Sequence, residues 1–177
     1  MGKRSNFDKI PKDYYRTIDP RAVQALKAFI PSGTKFVEPC AGDGILTKQL
    51  AGVMGLICVA EYDIEPNAPQ IKSLNALTIE ESHVSDADLI ISNPPWTRSL
   101  LHPMIERFAS LRPTWLLFDS SWPFTKQSST LMEKYCTDIV AIGRLKWIEN
   151  TTMSGKDDCS WYRFDINKLG GCKFHGR

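Results

Sequence analysis

Residues 35–46 read KFVEPCAGDGIL, and this stretch decides the fold. Lys35-Phe36-Val37 is a short strand, Glu38 to Gly44 is a turn, and Ile45, Leu46 and Leu50 are spaced as one face of a helix. Glycines at a strand-to-helix junction let the backbone take dihedrals closed to other residues and bring its N–H groups close to a ligand. Position 47 is Thr, so the third glycine of a G-x-G-x-x-G is missing and the turn does not read as a nicotinamide dinucleotide site. Glu38, just ahead of the turn, is poorly suited to a phosphate and better suited to an ammonium, directly or through water.

On either side of this turn the sequence alternates strand and helix. Asp19-Pro20 caps and starts a helix expected over 20–29. Leu56 to Ala60 is a nearly continuous apolar strand of the kind buried on both faces, stopping at Glu61-Tyr62-Asp63. Asp88 to Ser92 is another strand, ending in Asn93-Pro94-Pro95-Trp96. Leu100 to Leu111 reads as a helix, with Pro103 in its first turn or at a break. Trp115 to Phe118 is a strand, with a helix around Ser128 to Tyr135 behind it. Ile139 to Ile142 and Cys159 to Phe164 then pair as an antiparallel edge. The pattern predicts an α/β three-layer sandwich, Rossmann-like, with a mostly parallel sheet and an antiparallel C-terminal edge. In such sheets the ligand sits beyond the carboxyl ends of the strands, where the motifs fall.

A chain of 177 residues, 42% hydrophobic and 24% charged, supports one globular domain and excludes a disordered chain. The division expected is an N-terminal arm, 1–18, carrying Tyr14 and Tyr15, and a single domain, 19–177, with no separate target recognition domain. No apolar run approaches membrane-span length and none follows the basic N-terminus as a signal peptide would, so a soluble cytoplasmic protein is expected. Five scattered cysteines without a CxxC argue against a disulfide framework and, with three scattered histidines, against a bound metal. Residues 1–30 carry a net +4, 31–110 a net −5 and 111–177 a net +3, which suits an anionic polymer gripped by the ends.

The strand ends carry the chemistry. Glu61 can accept hydrogen bonds from both hydroxyls of a ribose, and Tyr62 beside it can pack on an adenine. Ribose, adenine and an amino-acid zwitterion at Glu38 together describe S-adenosylmethionine. In Asn93-Pro94-Pro95-Trp96 the Asn93 side-chain oxygen and the Pro94 carbonyl are acceptors on a turn stiffened by two prolines. Two acceptors converging on one amino group hold its hydrogens and aim its lone pair at a methyl donor. Trp96 offers a face for the base that carries the amine, a contact worth roughly 1–3 kcal/mol.

The set EPCAGDG (38–44), VAEYD (59–63) and NPPW (93–96) resembles the class I S-adenosylmethionine-dependent methyltransferases, specifically the DNA N6-adenine methyltransferases in which the glycine loop precedes the catalytic motif. The stretches GRLKWIE (143–149) and GKDDCSWYRF (155–164) resemble small bacteriophage proteins of this type, so the similarity spans roughly 35 to 164. The resemblance implies that Glu38, Pro39, Cys40, Ala41 and Gly42 line the methionine end of the donor and Glu61 and Tyr62 its nucleoside end. It implies that Asn93, Pro94, Pro95 and Trp96 hold a flipped adenine, with Asn93 also bordering the donor, and that Tyr15 covers the donor. The acid such enzymes often carry after the third strand is replaced here by Asn75. Cys40 and Asp43 stand where small or hydroxyl residues are common.

The expected reaction is methyl transfer to the N6 amino group of adenine in DNA, with the base unpaired or flipped out. An RNA adenine or a protein glutamine amide presents the same planar amine, and a non-catalytic binding or inhibitor protein on the same scaffold is a further alternative. The expected partner is DNA, single-stranded or locally opened, with a homodimer or second protein supplying sequence recognition. Arg144, Lys146, Lys156 and Arg163 are candidates for phosphate contacts.

Overall fold

A computed structural model describes residues 15–150 and 154–177. The arm expected over 1–18 is therefore seen from Tyr15 onward, and Tyr14 lies outside the described residues. The chain runs α1 (Pro20–Gln24), β1 (Lys35–Glu38), α2 (Ile45–Met54), β2 (Ile57–Asp63), β3 (Lys72–Ser73), α3 (Glu81–Val84) and β4 (Leu89–Ser92). It continues with α4 (Arg98–Leu111), β5 (Thr114–Asp119), α5 (Ser129–Tyr135), β6 (Cys136–Arg144), β7 (Asp158–Phe164) and β8 (Lys173–His175). The eight strands form one sheet in the order β3-β2-β1-β4-β5-β7-β6-β8. β7 runs antiparallel to its neighbours and the other pairings are parallel.

Strand alternation divides the core in two. Phe36, Ile91, Trp115, Leu117 and Trp161 face one side, where Ala22 and Val23 of α1 and Leu46 and Leu50 of α2 cover them. Their sequence neighbours Val37, Ile90, Leu116, Phe118 and Tyr162 face the other, against Leu101, Ile105 and Phe108 of α4 and Leu131 of α5. These are the three expected layers. The Phe118 and Tyr162 rings stack with centroids 4.1 Å apart, and the Trp161 indole donates to the Ala22 carbonyl at 2.7 Å, fastening α1 to the sheet.

Several boundaries differ from the sequence pattern. The α-helical part of the first helix ends at Gln24, after which residues 25–29 continue as turns. α4 begins two residues before Leu100, which puts Pro103 beyond the first turn. The helix runs on because the only bond lost is to the carbonyl of Ser99, which lies in an exposed turn open to water. β2 is mostly half-buried rather than covered on both faces, since its outer neighbour β3 is two residues long. The antiparallel strand β7 lies inside the sheet between β5 and β6, and the outer edge belongs to β8, which no apolar run announces. Among the described residues no helix is long and apolar enough to cross a membrane, and no cluster of His, Cys, Asp and Glu is placed to hold a metal ion.

Candidate active site

The turn between β1 and α2 is held by the end of β2. Gly42 and Gly44 have φ of 58° and 76°, the left-handed region that glycine enters without strain. The Gly42 N–H donates to Asp63 Oδ2 at 2.8 Å and the Ala41 N–H to the Tyr62 carbonyl at 2.9 Å. Glu38 and Glu61 are register partners on adjacent parallel strands, so both side chains lie on the α2 face. The Thr47 hydroxyl donates to Glu38 Oε2 at 2.6 Å. A Cβ at Gly44 would stand 2.8 Å from Glu61 Oε1, so the absence of a side chain there is what lets this carboxylate lie over the turn.

Three carboxylates thus share the strand ends. Glu38 is 1% exposed, and burial pushes its carboxyl up to about 8, against the pull of the Thr47 hydroxyl and with Glu61 and Asp63 adding to the rise. Burial, and then Asp63, push the Cys40 thiol up as well, which makes it an inert group rather than a nucleophile. Glu61 Oε1 is buried with no hydrogen-bond partner. A buried acceptor left unpaired costs about 1–3 kcal/mol, and an incoming donor would relieve that cost.

Asn93 follows the end of β4. Its amide nitrogen donates to the Tyr15 carbonyl at 2.9 Å and to Thr17 Oγ1 at 3.1 Å, while its Oδ1 accepts from the Trp96 indole at 3.3 Å. Both amide hydrogens are spent on the arm, and the oxygen, with one acceptor site taken by the indole, has capacity for a further donor. Trp96 meets Trp147 edge-on at 5.9 Å between centroids, and Tyr15 meets Trp147 in the same way at 6.3 Å. Pro94 is buried and Pro95 half-buried.

The arm is fastened to the glycine turn too. Arg16 Nε donates to Asp43 Oδ2 at 2.6 Å inside the glycine turn, and its Nη1 to Glu149 Oε1 at 2.8 Å. Gln49 of α2 donates to the Thr17 carbonyl at 2.7 Å.

Glu38, Pro39, Cys40, Ala41, Gly42 and Glu61 are therefore gathered around one turn, and Asn93 to Trp96 sit on the same sheet edge. Tyr15 lies beside Asn93 and Trp147. Tyr62 lies on the opposite face from Glu61, because successive strand residues alternate. It is 8% exposed, with its ring against His83 in the α4-side core. Asn75 is exposed and spends its Oδ1 capping the short 3-10 helix Ala76–Thr78 through the Leu77 N–H. Four residues escaped sequence reasoning. Asp63 had a signal, an acid two residues beyond Glu61 and so on the same face. Arg16, Thr17 and Trp147 act through contacts far along the chain and had none.

This topology and its glycine turn are the fold of the class I S-adenosylmethionine-dependent methyltransferases. Among solved structures the chain is similar to a dimethyladenosine transferase from Plasmodium falciparum, with a TM-score of 0.55 and 15% identity over 85% of this chain and 62% of that one. It is similar to the 23S rRNA methyltransferase ErmE, at 0.50 and 13% over 86% and 70%. A third is described as the modification subunit of a type I restriction enzyme from Vibrio vulnificus, at 0.59 and 11% over 92% and 46%. At these identities the likeness is one of fold. The chain spans 62% of the Plasmodium protein and less than half of the Vibrio subunit. No protein-family model and no curated protein matches the sequence.

Proposed function

We propose that the chain transfers the methyl group of S-adenosylmethionine to the N6 amino group of adenine in DNA. The observation that carries this reading is the orientation of Asn93. With its amide hydrogens held by Tyr15 and Thr17, it presents an acceptor at the carboxyl end of β4, beside Trp96. The residues present fit the donor. Glu61 supplies a buried oxygen without a partner, the glycine turn supplies close backbone approach, and Glu38 supplies a carboxyl for an ammonium. When bound, S-adenosylmethionine supplies an electrophilic methyl on a sulfonium.

The residues contribute position and charge. Asn93 Oδ1 and the Pro94 carbonyl accept the two hydrogens of the amine, which turns its lone pair toward the methyl. Trp96 and Trp147 exclude water from the base. Transfer would form the N–CH3 bond as the S–CH3 bond breaks and S-adenosylhomocysteine leaves, and the cationic nitrogen so formed is acidic enough to give its proton to water without a dedicated buried base. The rate enhancement rests on orientation and on acceptors already in place. The similar structures include enzymes named for adenosine dimethylation, rRNA methylation and restriction modification, so RNA adenine is the second reading.

The test is transfer of a tritiated methyl group to duplex DNA, single-stranded DNA, RNA and a protein extract, with the product digested and identified. N6-methyladenine from DNA is expected. Asn93→Ala should lower transfer at least about a hundredfold while donor binding persists. Normal turnover by that variant would overturn the assignment.

A further inference from the structure

On the same carboxyl edge of the sheet as the NPPW turn, at the ends of β6 and β7, lies a pocket of about 420 Å³ lined by Arg21, Arg144, Ser154, Asp158 and Arg177. Its lining carries three guanidinium groups against one carboxylate. Two of the arginines are built into the frame. Arg21 donates to Asp19 Oδ2 at 2.6 Å and to the Arg144 carbonyl at 2.8 Å, and Asp19 Oδ2 also accepts the Lys146 N–H at 3.0 Å. Arg177 donates to Asp158 Oδ1 at 3.2 Å and lies flat on Gly143, where φ is +88° and a Cβ would collide with the guanidinium. The third is free. Among the described residues the Arg144 guanidinium has no hydrogen-bond or ion-pair partner.

A fork of planar N–H donors with spare hydrogens matches the oxygens of a phosphate in geometry as well as charge. The position selects which phosphate. Arg144 ends β6, and Trp147 of the aromatic group at Asn93 is three residues further on, at most about 10 Å of extended chain. A base seated against Trp96 therefore has its flanking phosphate within reach of that segment. We infer that the Arg21-Arg144-Arg177 pocket binds the phosphodiester flanking the target adenine, which makes the substrate a nucleic acid strand rather than a protein amide. The inference rests on the methyltransferase reading for its target base. It depends on the arginines alone for its phosphate, since base contacts and phosphate contacts are separable.

The experiment titrates the wild-type protein and the Arg144→Gln, Arg177→Gln and double variants with short labelled single-stranded DNA and RNA oligonucleotides containing one adenine, over a range of salt. Arg144 is exposed and Arg177 makes one exposed ion pair, so the fold tolerates both changes. Each substitution should weaken binding roughly twofold to fivefold, the scale of an exposed ion pair. The double variant should lose about 0.7 from the slope of log affinity against log salt, the value for one phosphate on a single strand, and each single variant part of it. A neutral methylphosphonate linkage next to the adenine should weaken the wild type and leave the double variant unchanged. The tighter of the DNA and RNA complexes identifies the polymer. Unaltered slopes in the double variant overturn the inference, as does methylation of a protein by an enzyme that binds neither oligonucleotide. Donor binding by calorimetry runs beside this and should be equal in all variants. Its absence from the wild type would refute the methyltransferase reading, while the salt slopes still decide the pocket.

Discussion

Glu38 is held at a cost to the fold, and Glu38→Gln should expose that cost. The folded carboxyl titrates near 8 where an ordinary one titrates at 4.5, chiefly because it is buried. Since the folded value is the higher, the folded state keeps a proton that the unfolded chain releases. The contribution of Glu38 to stability is complete below 4.5 and is lost as pH rises through about 8. At about 1.4 kcal/mol per pH unit, the loss is roughly 3 kcal/mol by pH 7 and about 4 by pH 8. Glutamine keeps an oxygen for the Thr47 hydroxyl and never ionises, so the variant avoids this loss. Urea unfolding followed by tryptophan fluorescence between pH 4.5 and 8.5 should give curves that coincide at the acid end and separate steadily, the variant becoming the more stable. Calorimetry at pH 7.5 should show the opposite change in function, a weaker donor complex, because a bound ammonium draws the proton off the Glu38 carboxyl and pairs with the carboxylate, whereas an amide stays neutral. Two unfolding curves parallel across the whole range would refute the reasoning, for the carboxyl would then titrate alike in both states.

Thr17→Val removes one of the two acceptors that hold the Asn93 amide while preserving shape at a position 3% exposed, so it should cost about 1 kcal/mol of stability and lower kcat with little change in KM. Thr17→Ser should restore the rate, and a Val variant with normal kcat would show that the arm does not position Asn93. Glu61→Ala should weaken donor binding, since it deletes the buried oxygen that lacks a partner, and an unchanged dissociation constant in calorimetry would remove Glu61 from the donor site. Gly44→Ala places a methyl 2.8 Å from Glu61 Oε1 at a φ of 76°, so a loss of more than about 1 kcal/mol in thermal unfolding should accompany weaker donor binding. A variant as stable as the wild type would show that the turn relaxes freely.

Local pattern made much of the fold legible. The glycine turn, the acid closing β2 and the NPPW turn each announce themselves within a few residues, because turn chemistry and strand period are short-range properties. What the chain brings together from afar left no such trace. Nothing in CSWYRF says that its strand lies between β5 and β6, because a buried central strand and a buried outer one are apolar alike. The contacts of Arg16 with Asp43 and of Thr17 with Asn93 join residues 27 and 76 positions apart, and polar residues in an N-terminal segment look the same whether docked or solvated. Tyr62 is the opposite case. Its neighbour Glu61 faces α2 and the glycine turn, and a strict period of two sends the ring to the core, so the alternation was readable and argued against the adenine role given to it.

The place of β7 has a consequence for how the protein comes into being. Synthesis makes β5 and β6 before the strand that separates them, so until Phe164 has been added no strand can occupy the slot between Thr114–Asp119 and Cys136–Arg144. For that interval β5 offers an unpaired edge of six mostly buried residues, among them Trp115, Leu116, Leu117 and Phe118, the kind of edge that recruits foreign strands. A nascent chain stalled or cut before residue 158 therefore lacks the middle of its sheet rather than a margin, and it is the translating ribosome's product at this length that most needs shielding from its own copies.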